Sequence, residues 1–322
     1  LKKLSQPLKS GLHPRNRHQG RYNFNLLIEA NPRLREFVRG NGHGDVSVDF
    51  SNPHAVKALN QALLQLYYGL KYWDIPEGYL CPPVPGRADY IHYAADLLAG
   101  KNKTEQGNKI PEGAGVNCLD IGSGANCIYE IVGHHEYGWS FTGSDIDPDA
   151  IQSANKIIAG NPTLKGSAEF RLQKNQRDIF EGIILPGEIF DLTICNPPFH
   201  TSAAAAREGS LRKLRNLKIR TGHKPVLNFG GQSNELWCPG GEVKFIGDMI
   251  QQSKDFAKSC FWFTSLAAKS EHLPPIYNTL KATNVIEFRT IEMHQGNKAS
   301  RFIAWTFLNA EEQESWAEKR WQ

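Results

Sequence analysis

No stretch of this chain approaches the roughly 20 consecutive apolar residues that a bilayer-spanning helix needs, and no leader pattern of charge followed by an apolar run opens it. Both absences point to a cytoplasmic protein with no membrane partner. The chain opens on Leu1, as a trimmed amino terminus would. Its six cysteines, Cys81, Cys118, Cys127, Cys195, Cys238 and Cys260, include no C-x-x-C pair. That argues against a zinc site or a disulfide framework and for reduced, structural thiols. The eleven histidines are scattered, and His134-His135 lacks the spacing of a metal pair on a helix face. No metal is expected. There is no internal repeat and no heptad pattern. What is present is a length of 322 residues, enough for one large α/β domain with an appendage.

Charge is small overall, at +4, but unevenly placed. Residues 1–45 hold nine Lys/Arg against Glu29, Glu36 and Asp45, a net +6 that leaves the remainder near −2. A second basic cluster, Arg207, Arg212, Lys213, Arg215, Lys218, Arg220 and Lys224, is opposed only by Glu208. Two basic segments on a near-neutral body suggest a polyanionic partner.

The first 45 residues lack sustained periodicity. VSVDF (46–50) alternates like a short strand, and Ser51-Asn52-Pro53 reads as a capped helix start. Val56, Leu59, Leu63 and Leu66 give that helix an apolar face. The Pro/Gly-rich connector 75–86 leads into a second helix, ADYIHYAADLLAG. It sets the expected division between a basic amino-terminal module (1–80) and a main domain (81–322). From residue 116 the pattern becomes regular. Strands are expected at 116–122, 140–147, 168–173, 190–196 and 260–266, with helices at 125–137, 149–160, 245–259 and 272–282. Strands at 285–293 and 301–308 lie too close for a helical crossover and predict a closing antiparallel hairpin. Seven strands of this kind describe an open mixed sheet covered on both faces. Trp262 and Trp305 are expected in the core, and 311–322 as a solvated tail or helix.

The first strand runs into DIGSGANCIY, placing Asp120, Gly122, Ser123 and Gly124 at a strand-to-helix turn. Glycines there let backbone approach a ligand, and the next helix offers free N–H groups, although a tight structural turn would use them equally. Asp145, about twenty residues on at the end of the second strand, stands where a carboxylate accepts both hydroxyls of an adenosine ribose. The spacing suits a nicotinamide dinucleotide or S-adenosylmethionine. Cys127 replaces the third glycine of the dinucleotide motif, and no second glycine loop follows. The closing hairpin also favours methyl transfer, so S-adenosylmethionine is the expected cofactor.

The fourth strand breaks on TICNPPFH. Two prolines cannot donate to a sheet ladder, so the strand stops at Asn196, at the sheet edge where open α/β folds bind ligands. The Asn196 side-chain carbonyl and the Pro197 backbone carbonyl can accept both hydrogens of an exocyclic amine. That favours a pyramidal nitrogen with a localised lone pair, and Phe199 can stack on a flipped base for roughly 1–3 kcal/mol.

At these residues the sequence resembles the amino-methylating class I (Rossmann-like) methyltransferases, whose fourth strand ends in [DN]-P-P-[FYW]. HPRNRHQGRYNF, VPGRADYIH, DIGSGANCIYE, CNPPFH and GGEVKFI together resemble the family of the bacterial 23S rRNA adenine-N6 methyltransferase, which also includes the eukaryotic U6 snRNA methyltransferase. The likeness spans about residues 11–308. It implies a seven-stranded S-adenosylmethionine-dependent methyltransferase domain with a small basic RNA-binding module in front. The implied substrate is the N6 amine of an adenine in 23S rRNA, with S-adenosylhomocysteine as product. It implies Arg87 as the grip on the methionine carboxylate; Asp120, Gly122, Ser123, Gly124, Asp145 and Asn196 in the cofactor site; and Gln176 near the adenine. Asn196, Pro197, Pro198 and Phe199 would form the catalytic tetrapeptide. Arg15, Arg17, Arg21, Arg207, Arg212, Lys213 and Arg215 would contact RNA, with the 201–235 insertion as a mobile substrate loop. Deleting residues 1–45 is expected to weaken RNA binding and spare cofactor binding. Glu242 is either part of the site floor or only a helix-start acid. A monomer acting on RNA rather than DNA is expected. The alternatives are N5-methylation of a protein glutamine, which needs no basic arm, and an RNA-binding adaptor without activity.

Overall fold

Strands that are apolar along their whole length must be covered on both faces, and the helices between them supply that cover. A computed structural model describes residues 11–40, 46–104, 107–205, 208, 233–295 and 298–321. Ahead of the main sheet lie α1 (Phe24–Ala30), a 3-10 turn (Pro32–Glu36) and a ribbon of β1 (Val38–Gly40) with β2 (Val46–Val48). Next come α2 (Pro53–Tyr68), α3 (Val84–Ala99) and a second ribbon, β3 (Lys103–Thr104) with β4 (Gly107–Asn108). The seven-stranded sheet is built from β5 (Asn117–Ile121), β6 (Ser140–Asp145), β7 (Ala168–Leu172), β8 (Phe190–Cys195), β9 (Cys260–Ala267), β10 (Glu287–Gln295) and β11 (Lys298–Thr306). Its helices are α4 (Ile128–Tyr137), α5 (Pro148–Ala159), α6 (Gly241–Ser253) and α7 (Leu273–Ala282), and α8 (Ala310–Arg320) closes the chain.

The strand order is β10-β11-β9-β8-β5-β6-β7. Pairing is parallel from β9 to β7, and β11 is antiparallel to both β9 and β10. This is the mixed sheet with a closing hairpin that the sequence predicts. β5 continues on one side to β6 and on the other to β8, so the order reverses at β5. A crevice therefore opens at the carboxyl ends of β5 and β8. Side chains alternate between two cores: Cys118, Leu192, Ile194 and Trp262 face one, and Leu119, Ile121, Cys195 and Phe263 face the other. Trp262 and Trp305 are fully buried.

Several expectations need correction. Residues 24–40 hold a helix, a 3-10 turn and a strand where no periodicity showed. Their anchors are few: Leu27 and Leu34 are fully buried and belong to the same core cluster as Val116 and Phe261. Leu66 does not join the apolar face of α2, being 37% exposed, whereas Val56, Leu59 and Leu63 are buried. Asn52 caps α2 as read, accepting from the N–H groups of His54 and Ala55. The hairpin strands lie closer to their turn than expected, at Glu287–Gln295 and Lys298–Thr306 rather than 285–293 and 301–308, with Gln295 in register with Lys298. The carboxyl-terminal segment is a helix clasped to the body. Its capping box joins Asn309 and Glu312. Buried Asp191, at the start of β8, accepts from the indole N–H groups of Trp316 (2.8 Å) and Trp321 (2.9 Å). It also accepts two bonds of 2.7 Å from Arg320 and one of 2.8 Å from the Asn117 backbone.

Candidate active site

The cofactor loop begins where β5 ends. Gly122 and Gly124 have φ values of +72° and +64°, which a side chain rarely tolerates. The N–H groups of Gly122 and Ser123 both donate to the Ser144 carbonyl, at 2.9 and 3.0 Å, folding the loop back over β6. Cys127 is itself left-handed at φ +52°, and for this reason α4 starts at Ile128 rather than at 125. Asp145, nearly buried at the end of β6, accepts from the Gly124 N–H at 2.9 Å and from the Asp147 N–H at 2.9 Å. Burial raises its pKa against the lowering effect of those backbone donors.

Arg87 is half-buried on α3, donates to the Tyr129 hydroxyl at 2.9 Å and lies over that ring. Asp120 is buried beneath the loop at the end of β5. These groups, with Gly122, Ser123, Gly124 and Asp145, converge on one crevice. A glycine cradle faces a carboxylate there, and an arginine lies on the same sheet face as Asp120, a set that suits an adenosine bearing an amino-acid tail. Gln176 stands apart as an exposed residue of the loop after β7. It is the neighbouring Gln173 that is buried, bonded to the Glu181 carbonyl and the Asn175 N–H.

Two residues of this crevice escaped the sequence reading. The Tyr79 hydroxyl donates to Asp147 at 2.6 Å, and its ring packs on Ala125 and Ala150. Glu235 accepts from the Leu80 N–H at 3.1 Å, and a side chain added at Gly124 would meet its carboxylate at 3.3 Å. Neither had a signal to find. Each sits in an aperiodic segment and meets its partner only across a long stretch of chain.

The end of β8 is held rigidly. Thr264 of β9 donates through its backbone N–H to the Thr193 hydroxyl at 2.9 Å, and through its own hydroxyl to the Thr193 carbonyl. The Tyr90 hydroxyl from α3 bonds Thr264 at 2.6 Å and accepts from the Cys195 N–H at 3.4 Å. Beyond that anchor, the Asn196 side-chain oxygen is buried with no hydrogen-bond partner among the described residues. Pro197 is buried, and Pro198 and Phe199 are half-buried. His200 is half-buried and its backbone bridges Leu236 and Cys238. The Gly241 backbone packs against Thr201 so closely that an added Cβ would stand 2.8 Å from its methyl. Glu242 is buried, accepting from the Ala268 N–H at 2.8 Å and contacting His272. It ties α6 to the carboxyl end of β9.

The basic residues divide. Arg15 pairs with Asp96 at 2.7 Å and bonds the Tyr137 hydroxyl at 2.9 Å; Arg17 pairs with Glu136. Both guanidinium groups are engaged on α3 and α4. Arg21 is exposed. Arg207, Arg212, Lys213 and Arg215 lie outside the described residues, as does most of the 201–235 insertion. Among the described residues no cluster of three metal-ligating side chains occurs, and no helix is long and apolar enough to cross a membrane.

With this geometry in place, similarity to known proteins decides the family. The profile of a family described as RNA methyltransferase matches residues 6–309. The chain belongs to that family. Ribosomal RNA large subunit methyltransferase F of Serratia proteamaculans (strain 568) is 56% identical to it, over 100% of this chain and 95% of that protein. The protein of the same name from Bacteroides thetaiotaomicron is 55% identical, over 93% of this chain and 99% of that one. Among solved structures, the human METTL16 catalytic domain in complex with the MAT2A 3′UTR hairpin 1 superposes with a TM-score of 0.76 at 27% identity, covering 93% of this chain and 96% of that one. The N-terminal domain of human METTL16 in complex with SAH gives 0.72 at 26% identity, covering 92% and 99%. The chain is therefore an RNA methyltransferase with the class I fold, and the crevice at β5 and β8 is read as an RNA methyltransferase's crevice.

Proposed function

We propose that this RNA methyltransferase transfers the methyl group of S-adenosylmethionine to the N6 amine of an adenine in 23S ribosomal RNA. The observation that carries this reading is the buried, unpartnered oxygen of Asn196 at the sheet edge. A buried acceptor without a donor costs about 1–3 kcal/mol, so its retention calls for a donor that arrives with the substrate. An adenine amine supplies such a donor. The match to proteins named ribosomal RNA large subunit methyltransferase F over essentially the whole chain supports RNA over a protein glutamine as the source of that amine.

In this reading Asn196 and the Pro197 carbonyl accept the two amine hydrogens and turn the nitrogen lone pair toward the cofactor crevice. Phe199 stacks on the extruded base. The Thr193–Thr264–Tyr90 network holds the end of β8 so that these carbonyls need not reorganise as positive charge develops on nitrogen. Asp145 holds the ribose, releasing the Gly124 N–H it accepts from here. Arg87 takes the methionine carboxylate and Asp120 faces the methionine ammonium. When bound, S-adenosylmethionine supplies an activated methyl on a sulfonium, so Asn196 need only orient the amine. The proton leaves to solvent after transfer.

Modification mapping of 23S rRNA from cells lacking the protein tests the proposal. Loss of one N6-methyladenosine is expected, restored by the wild-type chain and not by Asn196→Ala. An unchanged map would overturn the substrate.

A further inference from the structure

Behind the cofactor loop lies a pair of acids that the reaction above does not use in full. Asp120 at the end of β5 and Glu130 in the first turn of α4 are 1% and 0% exposed. Glu130 reaches across the sheet face to Gly143, the register partner of Asp120 on β6. A side chain added at Gly143 would stand 2.9 Å from its carboxyl oxygen. All four carboxyl oxygens of the pair lack a conventional donor among the described residues. The two carboxyls thus share one buried patch over the β5–β6 pair. Two carboxylates have no hydrogen to share, so a bond between them exists only when one of them keeps its proton.

The surroundings offer little else to compensate two buried charges. From α3 come Arg87, the one cation seen to act on Asp120 among the described residues, and Tyr90, whose hydroxyl is engaged with Thr264. From α4 come Tyr129, bonded to Arg87, and the thiol of Cys127. β6 contributes the like charge of Asp145, and β5 and β8 the thiols of Cys118 and Cys195. One positive charge thus stands against a potential three negative ones.

We propose that Asp120 and Glu130 form a dyad sharing one proton, and that the dyad releases this proton to solvent when the charged methionine end of S-adenosylmethionine settles between Arg87 and Asp120. The inference rests on the reading that this crevice takes S-adenosylmethionine. Glu130 acts through Asp120 and is a positioning residue, not a catalytic one. An arriving ammonium adds the positive charge that the doubly ionised pair lacks, so the O–H bond of the dyad breaks and water takes the proton. Burial and mutual repulsion hold Asp120 well above the ordinary carboxylate range, and burial pushes Glu130 up to about 7. The shared proton is therefore present near pH 6.

The test is titration calorimetry of the full chain at pH 6 in buffers of different protonation enthalpy. The probes are S-adenosylmethionine, S-adenosylhomocysteine and 5′-methylthioadenosine, which has no amino-acid end. The expected result is release of about one proton with each of the first two ligands and none with the third. Glu130→Gln is expected to bind S-adenosylmethionine without proton release, its affinity flat from pH 6 to 8 where the wild type tightens. The wild-type measurement decides the matter even if that variant does not fold. S-adenosylmethionine binding with no buffer dependence, or equal release with 5′-methylthioadenosine, would overturn the dyad and leave the cofactor reading intact. No binding of S-adenosylmethionine at all would overturn both.

Discussion

Asn196 and Asp145 end β8 and β6, on either side of β5, and the proposal gives them different partners, so their removal should separate in kinetics. Asn196→Ala removes a carbonyl whose value rises as charge forms on the amine. Turnover should fall by about 10²–10³ with little change in S-adenosylmethionine affinity, measured by single-turnover assay and calorimetry. Asp145→Ala removes the proposed ribose acceptor and should weaken cofactor binding several-fold, most plainly as a raised KM. Retained turnover in the first variant, or unchanged affinity in the second, would refute these roles. Both residues were legible in the sequence because a glycine loop and a proline pair interrupt apolar runs at fixed distances. Tyr79 and Glu235 were not, since no period or spacing links Tyr79 to Asp147 or Glu235 to the Gly124 loop. Gln176 was implied by the resemblance alone. The loop geometry instead buries Gln173, whose backbone N–H bonds the Asp145 carbonyl at 2.8 Å.

Among the elements, α8 shows most clearly how local pattern and packing diverge. Its sequence is strongly charged, with Glu311, Glu312, Glu314, Glu318, Lys319 and Arg320, and reads as a solvated segment. Trp316, Arg320 and Trp321 nevertheless converge on Asp191, which is fully buried. A buried carboxylate that loses its partners, or a cation that loses its carboxylate, costs about 3–5 kcal/mol. Asp191→Ala should therefore destabilise the fold by that order in urea titration, and deletion from Ala310 onward should act in the same direction. A loss under about 1 kcal/mol would show that the clasp is incidental. The β8 end is set in the same way by a neighbour: Tyr90 on α3 reaches both Thr264 and Cys195, and only the sheet order brings these together.

For the molecule as a whole, one core cluster joins the amino-terminal segment to the sheet. Leu27 and Leu34 pack in the cluster that holds Phe261 and Trp262. Deleting residues 1–45 should accordingly lower the melting temperature and impair cofactor binding as well as RNA binding, contrary to the expectation of a separable arm. Deleting only residues 1–10, which carry Lys2, Lys3 and Lys9 and leave Leu27 and Leu34 in place, should weaken RNA binding in a salt-dependent way. His92 sets a global pH response. It is buried, bonded to the Tyr137 hydroxyl at 2.7 Å, and burial with the nearby His13 and Arg15 lowers its pKa from 6.5 to about 3. The unfolded chain binds a proton there that the folded chain refuses. The stability His92 contributes is present above about pH 6.5 and is lost as pH falls toward 3. His92→Gln should flatten that part of the acid limb in urea titrations run across this window. An identical acid limb would mean that other groups govern it.

The sequence by itself determined the sheet, the closing hairpin, the glycine loop and the broken fourth strand. Each depends on spacing along the chain: apolar periods, glycines where φ must be positive, and prolines where a ladder must end. Which charges are free was decided only by the tertiary structure. Arg15 and Arg17 look alike in a basic segment, yet both find carboxylates on α3 and α4. Asp120 and Glu130 are ten residues apart and meet only because α4 folds back over β5 and β6. Local pattern is set by neighbours in the chain, and electrostatics by neighbours in space.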